Sequence, residues 1–497
     1  MRKKSKRAQR GWVTPPASGR KPSGSLTTRD VLVSAEELIA FHRLFAGVFQ
    51  RREQSEWSLV YLCGQLANLE RKTIEPMILG LHGADVKAVR AVQRFISRGK
   101  WAAQSVILRG QALVAEWLGE PDGVLIVDGS GFPKQGQDSV GVARQYCGHL
   151  GKVANCQEGV FLVYASQQGY AFLEERLYLH ESWFEPEAAE RWKACGIPKD
   201  IVFRTEPELA LEMIRGVTER AVLPFRWVTG DEQFGQNPAF LDGIASLRKW
   251  YLVEAPCDTR AWLHTPRVEP PGKGLLGRPR TRPRVSLNAP RPRELREIAA
   301  HLPPSAWTRY IIKEGSKGPL VAEFAFLRVT TVRDQLPGPR VWVMFRRSLA
   351  HPPELKFYLS NAPLTCDRQE LAQVSGQRWP IETTFEEGKG EVGMDHYETR
   401  SWRGWHHHMA QTFMAQLFLT RLRLCFKKKP GTDNGSSPSA DRASDRRRMP
   451  AAARCDSDNS LSSTAKPCRL LLTSQTHPQA ASSLTPEAEI TRSVVVM

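Results

Sequence analysis

The chain has 497 residues, 41% of them hydrophobic, and 70 Lys and Arg against 52 Asp and Glu give it a net charge of +18. That length allows two to four domains at roughly 100–200 residues each, and the charge argues for a polyanionic partner, not for any particular fold. There is no run of about 18 apolar residues to make a membrane-spanning helix, and the basic N-terminus lacks the apolar stretch of a secretory signal.

The nine cysteines are scattered, odd in number and form no C-x-x-C pair. This speaks against a zinc ribbon or a disulfide framework and fits a reducing cytosol.

Residues 1–33 read as a disordered basic arm: Arg2, Lys3, Lys4, Lys6, Arg7, Arg10, Arg20, Lys21 and Arg29 precede Asp30, the first acid. Residues 34–119 read as a helical, DNA-binding domain. Ser34 is an N-cap candidate for a helix through Phe45, and further helices are expected over 57–71, before Gly83, over 84–96 and over 101–118. The pair flanking Gly83 resembles a helix-turn-helix. Its second helix would bring Lys87, Arg90 and Arg94 to DNA, or would simply present a solvated face.

Residues 120–256 read as α/β. Strands are expected over 123–128, 159–166, 170–179, 225–229 and 250–254, with helices over 207–220 and 238–249. That order matches a ribonuclease-H-like core, whose first and later central strands each deliver a carboxylate. Residues 257–362 read as a mainly β insertion containing a basic loop with Arg278, Arg280, Arg282, Arg284, Arg291 and Arg293. Residues 363–424 resume a helical pattern and carry Glu382, and 425–497 read as a disordered tail.

Three acids stand out. Asp128 closes Val124-Leu-Ile-Val127, Asp231 closes Arg226-Trp-Val-Thr-Gly230, and Glu382 follows Arg378-Trp-Pro-Ile381. Two Asp at strand ends and a Glu on a helix can hold Mg²⁺, which takes oxygen ligands. Each acid has a plainer reading: a strand-end Asp caps a turn, and a helical Glu joins surface ion pairs. Arg378, Glu382 and Lys389 share one helix face, where the two cations would meet phosphates. Glu386 shares that face too. His406, His407 and His408 cannot all point one way on a helix and have no partner at zinc spacing.

The chain resembles the DDE transposases of bacterial insertion sequences, in particular the IS701-like group of the IS4 type. The resemblance spans residues 40–424. It rests on Leu69-Glu-Arg-Lys72, on Asp128-Gly-Ser-Gly-Phe-Pro-Lys134, on Ser139–Tyr146 and Asn155–Phe161, on Trp227–Gly235, and on Arg378–Glu382 with Lys389 and Gly393–Trp402. It implies Asp128, Asp231 and Glu382 as catalytic and metal-binding residues and Mg²⁺ as cofactor, with Mn²⁺ able to substitute. It also implies phosphate contacts from Arg378, Lys389 and Lys134. The implied partners are double-stranded DNA, as terminal inverted repeats and target, and a second copy in the DNA complex. The implied location is the bacterial cytoplasm, at the nucleoid. The sequence departs from the IS4-type signature at Ser375, where that signature has Tyr, and the tail after 424 matches nothing in the family. The expected fold is thus α/β: an all-α domain, then a ribonuclease-H-like core interrupted by a mainly β insertion. The expected activity is cleavage and strand transfer. The alternatives are a decayed, binding-only transposase and a stand-alone nuclease.

Overall fold

The computed structural model describes residues 28–272, 280–315 and 318–427. Five helices come first: α1 (Thr28–Arg43), α2 (Arg52–Leu66), α3 (Ile74–His82), α4 (Val86–Arg98) and α5 (Ala103–Leu118). The first strands follow, β1 (Val124–Pro133), β2 (Ala143–Cys147), β3 (Lys152–Ala165) and β4 (Tyr170–Tyr178). Then come α6 (Ala189–Cys195), α7 (Glu206–Arg220), β5 (Trp227–Thr229), α8 (Glu232–Gly235), α9 (Pro238–Ser246) and β6 (Trp250–Glu254). The next segment holds β7 (Arg260–Trp262), β8 (Val268–Glu269), β9 (Arg284–Val285), β10 (Arg293–Glu294), α10 (Leu295–Ala300), β11 (Thr308–Lys313), β12 (Leu320–Arg333), β13 (Leu336–Arg347) and β14 (Leu355–Ser360). The last helices are α11 (Arg368–Val374), α12 (Trp379–Gly390) and α13 (Trp402–Lys427).

The α/β expectation holds: a mixed sheet of twelve strands runs β10-β7-β12-β13-β14-β6-β5-β1-β3-β2, with β4 also on β3 and β11 also on β12. Around β1 the pairing is specific. β3 lies antiparallel to it, β5 parallel to it, and β6 parallel to β5. Leu125, Ile126 and Val127 are fully buried, the continuous apolar run that a strand covered on both faces needs. α13 crosses one face. Its Trp405, Met409 and Ala410 are fully buried, and its Phe413 stacks on Phe172 of β4 at 4.6 Å.

Local chemistry sets the helices. Asp85 caps α4 by accepting from the N–H groups of Lys87 and Ala88 at 2.8 and 3.1 Å, a contact worth about 1 kcal/mol. Ala88, Val92, Phe95 and Ile96 then form its buried stripe. Gly83, at φ 68°, ends α3 in a conformation that a side chain would resist.

Several boundaries differ from expectation. α1 starts at Thr28, so residues 28–33 are helix and not arm, and α13 runs to Lys427, past the expected break at 425. The rest of the arm and tail, and Arg278, lie outside the described residues. α2 ends at Leu66, which leaves Leu69-Glu70-Arg71-Lys72 in the link to α3. β2 and the first half of β3 were not foreseen. The segment 257–362 is mainly β, but it is not walled off. β14 pairs with β6, Leu359 opposite Val253 and Tyr358 opposite Glu254, so the inserted strands prolong the same sheet.

Candidate active site

Parallel pairing of β1 and β5 sets Leu125 beside Val228 and Ile126 beside Thr229. Two residues further on, the same register brings Asp128 and Asp231 side by side. Asp128 Oδ1 accepts from the Gly129 N–H at 2.9 Å. Asp231 caps the short α8, accepting from the N–H groups of Gln233 and Phe234 at 3.0 and 3.4 Å. Glu382 comes from the first turn of α12.

Arg378, at the N-cap of α12, ties these elements together. Its Nη1 donates to Asp128 Oδ2 at 3.0 Å and its Nη2 to Glu382 Oε1 at 2.5 Å, and its Nε lies 3.6 Å from Glu254 Oε1. Burial pushes the Asp128 carboxyl up to about 7 even though Arg378 opposes the shift, and the neighbouring Asp231 and Glu382 push the same way. Burial also raises Asp231, again against Arg378. The site therefore carries more negative charge than one guanidinium neutralises. Its donors are carboxylate oxygens, the type that Mg²⁺ prefers. Among the described residues, no group of three or more His, Cys, Asp or Glu side chains is gathered closely enough to hold a metal ion as it stands. Arg378 forks between Asp128 and Glu382.

A second acidic pair was missed by sequence reasoning. Glu158, opposite Gly131 on β3, is buried, and its Oε2 has no hydrogen-bond partner. Glu206 opens α7. A Cβ on Gly129 would sit 3.1 Å from Glu158 Oε1 and 3.2 Å from Glu206 Oε2, and one on Gly131 would sit 2.9 Å from Glu158 Oε2. The glycines of Asp128-Gly-Ser-Gly therefore make room for these carboxylates. Burial first, then Glu206, lift the Glu158 carboxyl to about 8. Glu254 was missed as well, although it ends the apolar strand Trp250–Val253 just as Asp128 and Asp231 end theirs.

The expected phosphate-binding residues divide. Lys389 reaches the Gly131 carbonyl at 3.4 Å, on the same helix as Glu382, and burial lowers its ammonium. Lys134 is turned onto the Tyr397 ring at 3.6 Å, and burial lowers it to about 8. Lys87, Arg90 and Arg94 lie exposed along α4. Arg280 is paired with Glu269 at 3.1 Å, whereas Arg282 is exposed. None of these last five touches the acids.

Ser375 is buried at the end of α11, and its hydroxyl donates to the Ala372 carbonyl at 2.6 Å. Glu386 is exposed. Of the three histidines, His406 meets Glu175 at 2.7 Å, His407 lies between the carbonyls of Ile96 and Trp101, and His408 bonds Tyr61 at 2.8 Å. A cavity of about 680 Å³ lies elsewhere, lined by Arg98, Arg191, Cys195, Tyr397 and Arg400 among others, and none of the three site acids borders it.

The DDE superfamily endonuclease model matches residues 44–319, more than half of the chain, and the chain belongs to that family. The matched stretch contains Asp128 and Asp231 and ends before Glu382. No curated protein matches the chain. No helix among the described residues is long and apolar enough to cross a membrane.

Proposed function

We propose that this DDE superfamily endonuclease is a DNA transposase of the IS701-like group, within the IS4 type, which cuts insertion-sequence ends and joins them to target DNA. One observation carries the reading. Asp128, Asp231 and Glu382 come from three elements far apart in the chain and converge on the charge of Arg378. The order β4-β3-β1-β5-β6 and the directions of its pairs support a ribonuclease-H-like core, and helices α1–α5 support a separate DNA-binding region in front of it.

Asp128, Asp231 and Glu382 are the proposed ligands of Mg²⁺, or of Mn²⁺ in its place. Bound there, the metal would supply charge neutralisation and activation of the attacking oxygen. The protein's own groups do the rest. Asp128 would hold the metal as its carboxylate, beside the guanidinium of Arg378. Arg378, released from the carboxylates, forks onto a phosphate, and Lys389 sets a point charge on the next one. In the first step a water oxygen bonds to phosphorus as the P–O3′ bond breaks, leaving a 3′-OH and a 5′-phosphate. In the second step that 3′-OH attacks a target phosphodiester, and a target 3′-OH leaves. Positioning and charge stabilisation account for the rate.

The test is an end-containing duplex incubated with the chain and Mg²⁺. Cut ends and joined products are expected, both lost in Glu382→Ala with duplex binding retained. Cutting by Glu382→Ala would overturn the assignment and turn attention to Glu386. A binding-only protein is the second reading, favoured by Ser375, whose hydroxyl is spent on its own helix. Binding without any cutting by the unaltered chain would establish it.

A further inference from the structure

β2 and the first half of β3 form a ribbon at one end of the sheet. Arg144 pairs with Asn155, Tyr146 with Val153 and Cys147 with Lys152. β2 ends the strand order, and its outer edge meets no further strand among the described residues. Strands alternate their faces, so Cys147 and Cys156 turn inward and are buried, whereas Arg144, Tyr146 and Val153 share the outer face. Tyr146 is 64% exposed, Val153 54% and Leu150, at the tip, 41%.

Three large apolar side chains within eight residues of an open edge are a liability unless something covers them. The charge of the ribbon says what does. From Ser139 to Gln157 there is no Asp or Glu, while Arg144 on the outer face and Lys152 beside Cys147 supply positive charge. The ribbon also grows directly out of the site. Phe161 lies opposite Asp128 on the same strand β3 that carries Val153. At about 3.3 Å per residue, eight residues of β3 put Val153 about 26 Å from Asp128. That is about eight base pairs of duplex at roughly 3.4 Å each.

We propose that the β2–β3 ribbon, residues 143–156, is a grip on double-stranded DNA about eight base pairs from the scissile phosphate. Arg144 contacts a phosphate, and Tyr146, on the same face, makes an apolar contact inside a groove, where a two-stranded ribbon fits. The proposal rests on the DNA-cutting reading above.

The experiment uses the full chain and two end-containing duplexes. One extends about 15 base pairs past the cut on the ribbon side and the other about four. On the long duplex, the Arg144→Gln variant should lower the slope of log affinity against log salt by about 1. Tyr146→Ser should keep the slope, weaken binding about tenfold and lose hydroxyl-radical protection near base pair eight. On the short duplex all variants should equal the unaltered chain, which also shows that they are folded. Unchanged slope and footprint on the long duplex would overturn the proposal. So would loss of self-association with the footprint intact, since the occupant of the edge would then be a second copy. If the unaltered chain cuts and the variants match it, only the ribbon assignment falls. If the unaltered chain binds no duplex, the DNA-cutting reading falls and the ribbon with it.

Discussion

The two halves of the acidic site are built differently. Asp128 and Asp231 stand at the ends of adjacent parallel strands, fixed by backbone register and capped by neighbouring N–H groups. Glu382 stands on a helical turn, where its carboxylate accepts from Arg378. The Asp128 side chain is 19% exposed and the Glu382 side chain 51%. A strand end buys position at the cost of desolvation, which is why Asp128 shifts to about 7. A helical turn leaves its acid wet and free to adjust.

The sharpest test of this difference is a one-methylene change on each side. Asp128→Glu or Asp231→Glu should cut as poorly as the alanine variants, by about 10³-fold or more, because the buried strand end cannot absorb the extra length. Glu382→Asp should lose only about 10–100-fold, since its helix has room to follow. Single-turnover cleavage in Mg²⁺ measures both, and equal losses would erase the distinction.

The next effect concerns stability. Arg378→Ala strands the largely buried Asp128 without its cation, while Glu254 keeps Lys356 at 3.2 Å, so unfolding in urea without metal should ease by about 3 kcal/mol. Added Mg²⁺ should restore part of the loss in the variant. An unchanged urea midpoint would mean that the acids are neutralised in some other way.

Glu158 gives a pH signature. Its carboxyl rises from an ordinary 4.5 to about 8 in the folded chain, chiefly by burial. Folded protein therefore holds a proton that unfolded chain has released, so stability is full below about 4.5 and falls as pH rises through 8. Glu158→Gln should flatten that fall, on the order of 1–3 kcal/mol at the alkaline end. Parallel melting curves for the two proteins from pH 4 to 9 would refute it.

The smallest effect belongs to α4. Replacing Lys87, Arg90 or Arg94 with Gln should alter stability by less than about 0.5 kcal/mol, because all three are exposed. Each that meets phosphate should lower the salt slope of DNA binding by about 1. An unaltered slope for all three would leave α4 as a solvated face.

Local signals in the sequence were legible where they were strong. Apolar runs ending in an acid located β1 and β5, and periodic stripes on either side of Gly83 located α3 and α4. What depends on distant partners was not legible. Residues 143–157 look like loop, with polar residues and two glycines, and it is the pairing of β2 with β3 that makes them strand. The return of β14 onto β6 joins residues about a hundred apart and leaves no local trace. Glu158 and Glu206 are distant in sequence and meet only above the glycines after Asp128. Arg378 was read as a phosphate contact, and its hold on three carboxylates needed the fold. Between α11 and α12 the fold likewise leaves no room for a side chain at Gly376, where a Cβ would come within 2.3 Å of Ile312.

The pairing of β14 with β6 also makes the long excursion between Asp231 and Glu382 modular. It leaves the core after Glu254 and comes back at Tyr358, the residue directly opposite. Its entrance and exit are stapled, and the entropy of closing such a loop grows only with the logarithm of its length. At the far end, the tight reversal from β12 to β13 at Asp334 and Gln335 is a natural splice point. A reporter domain or affinity tag grafted there would hang from the hairpin tip, while α12 kept its distance from the strand ends.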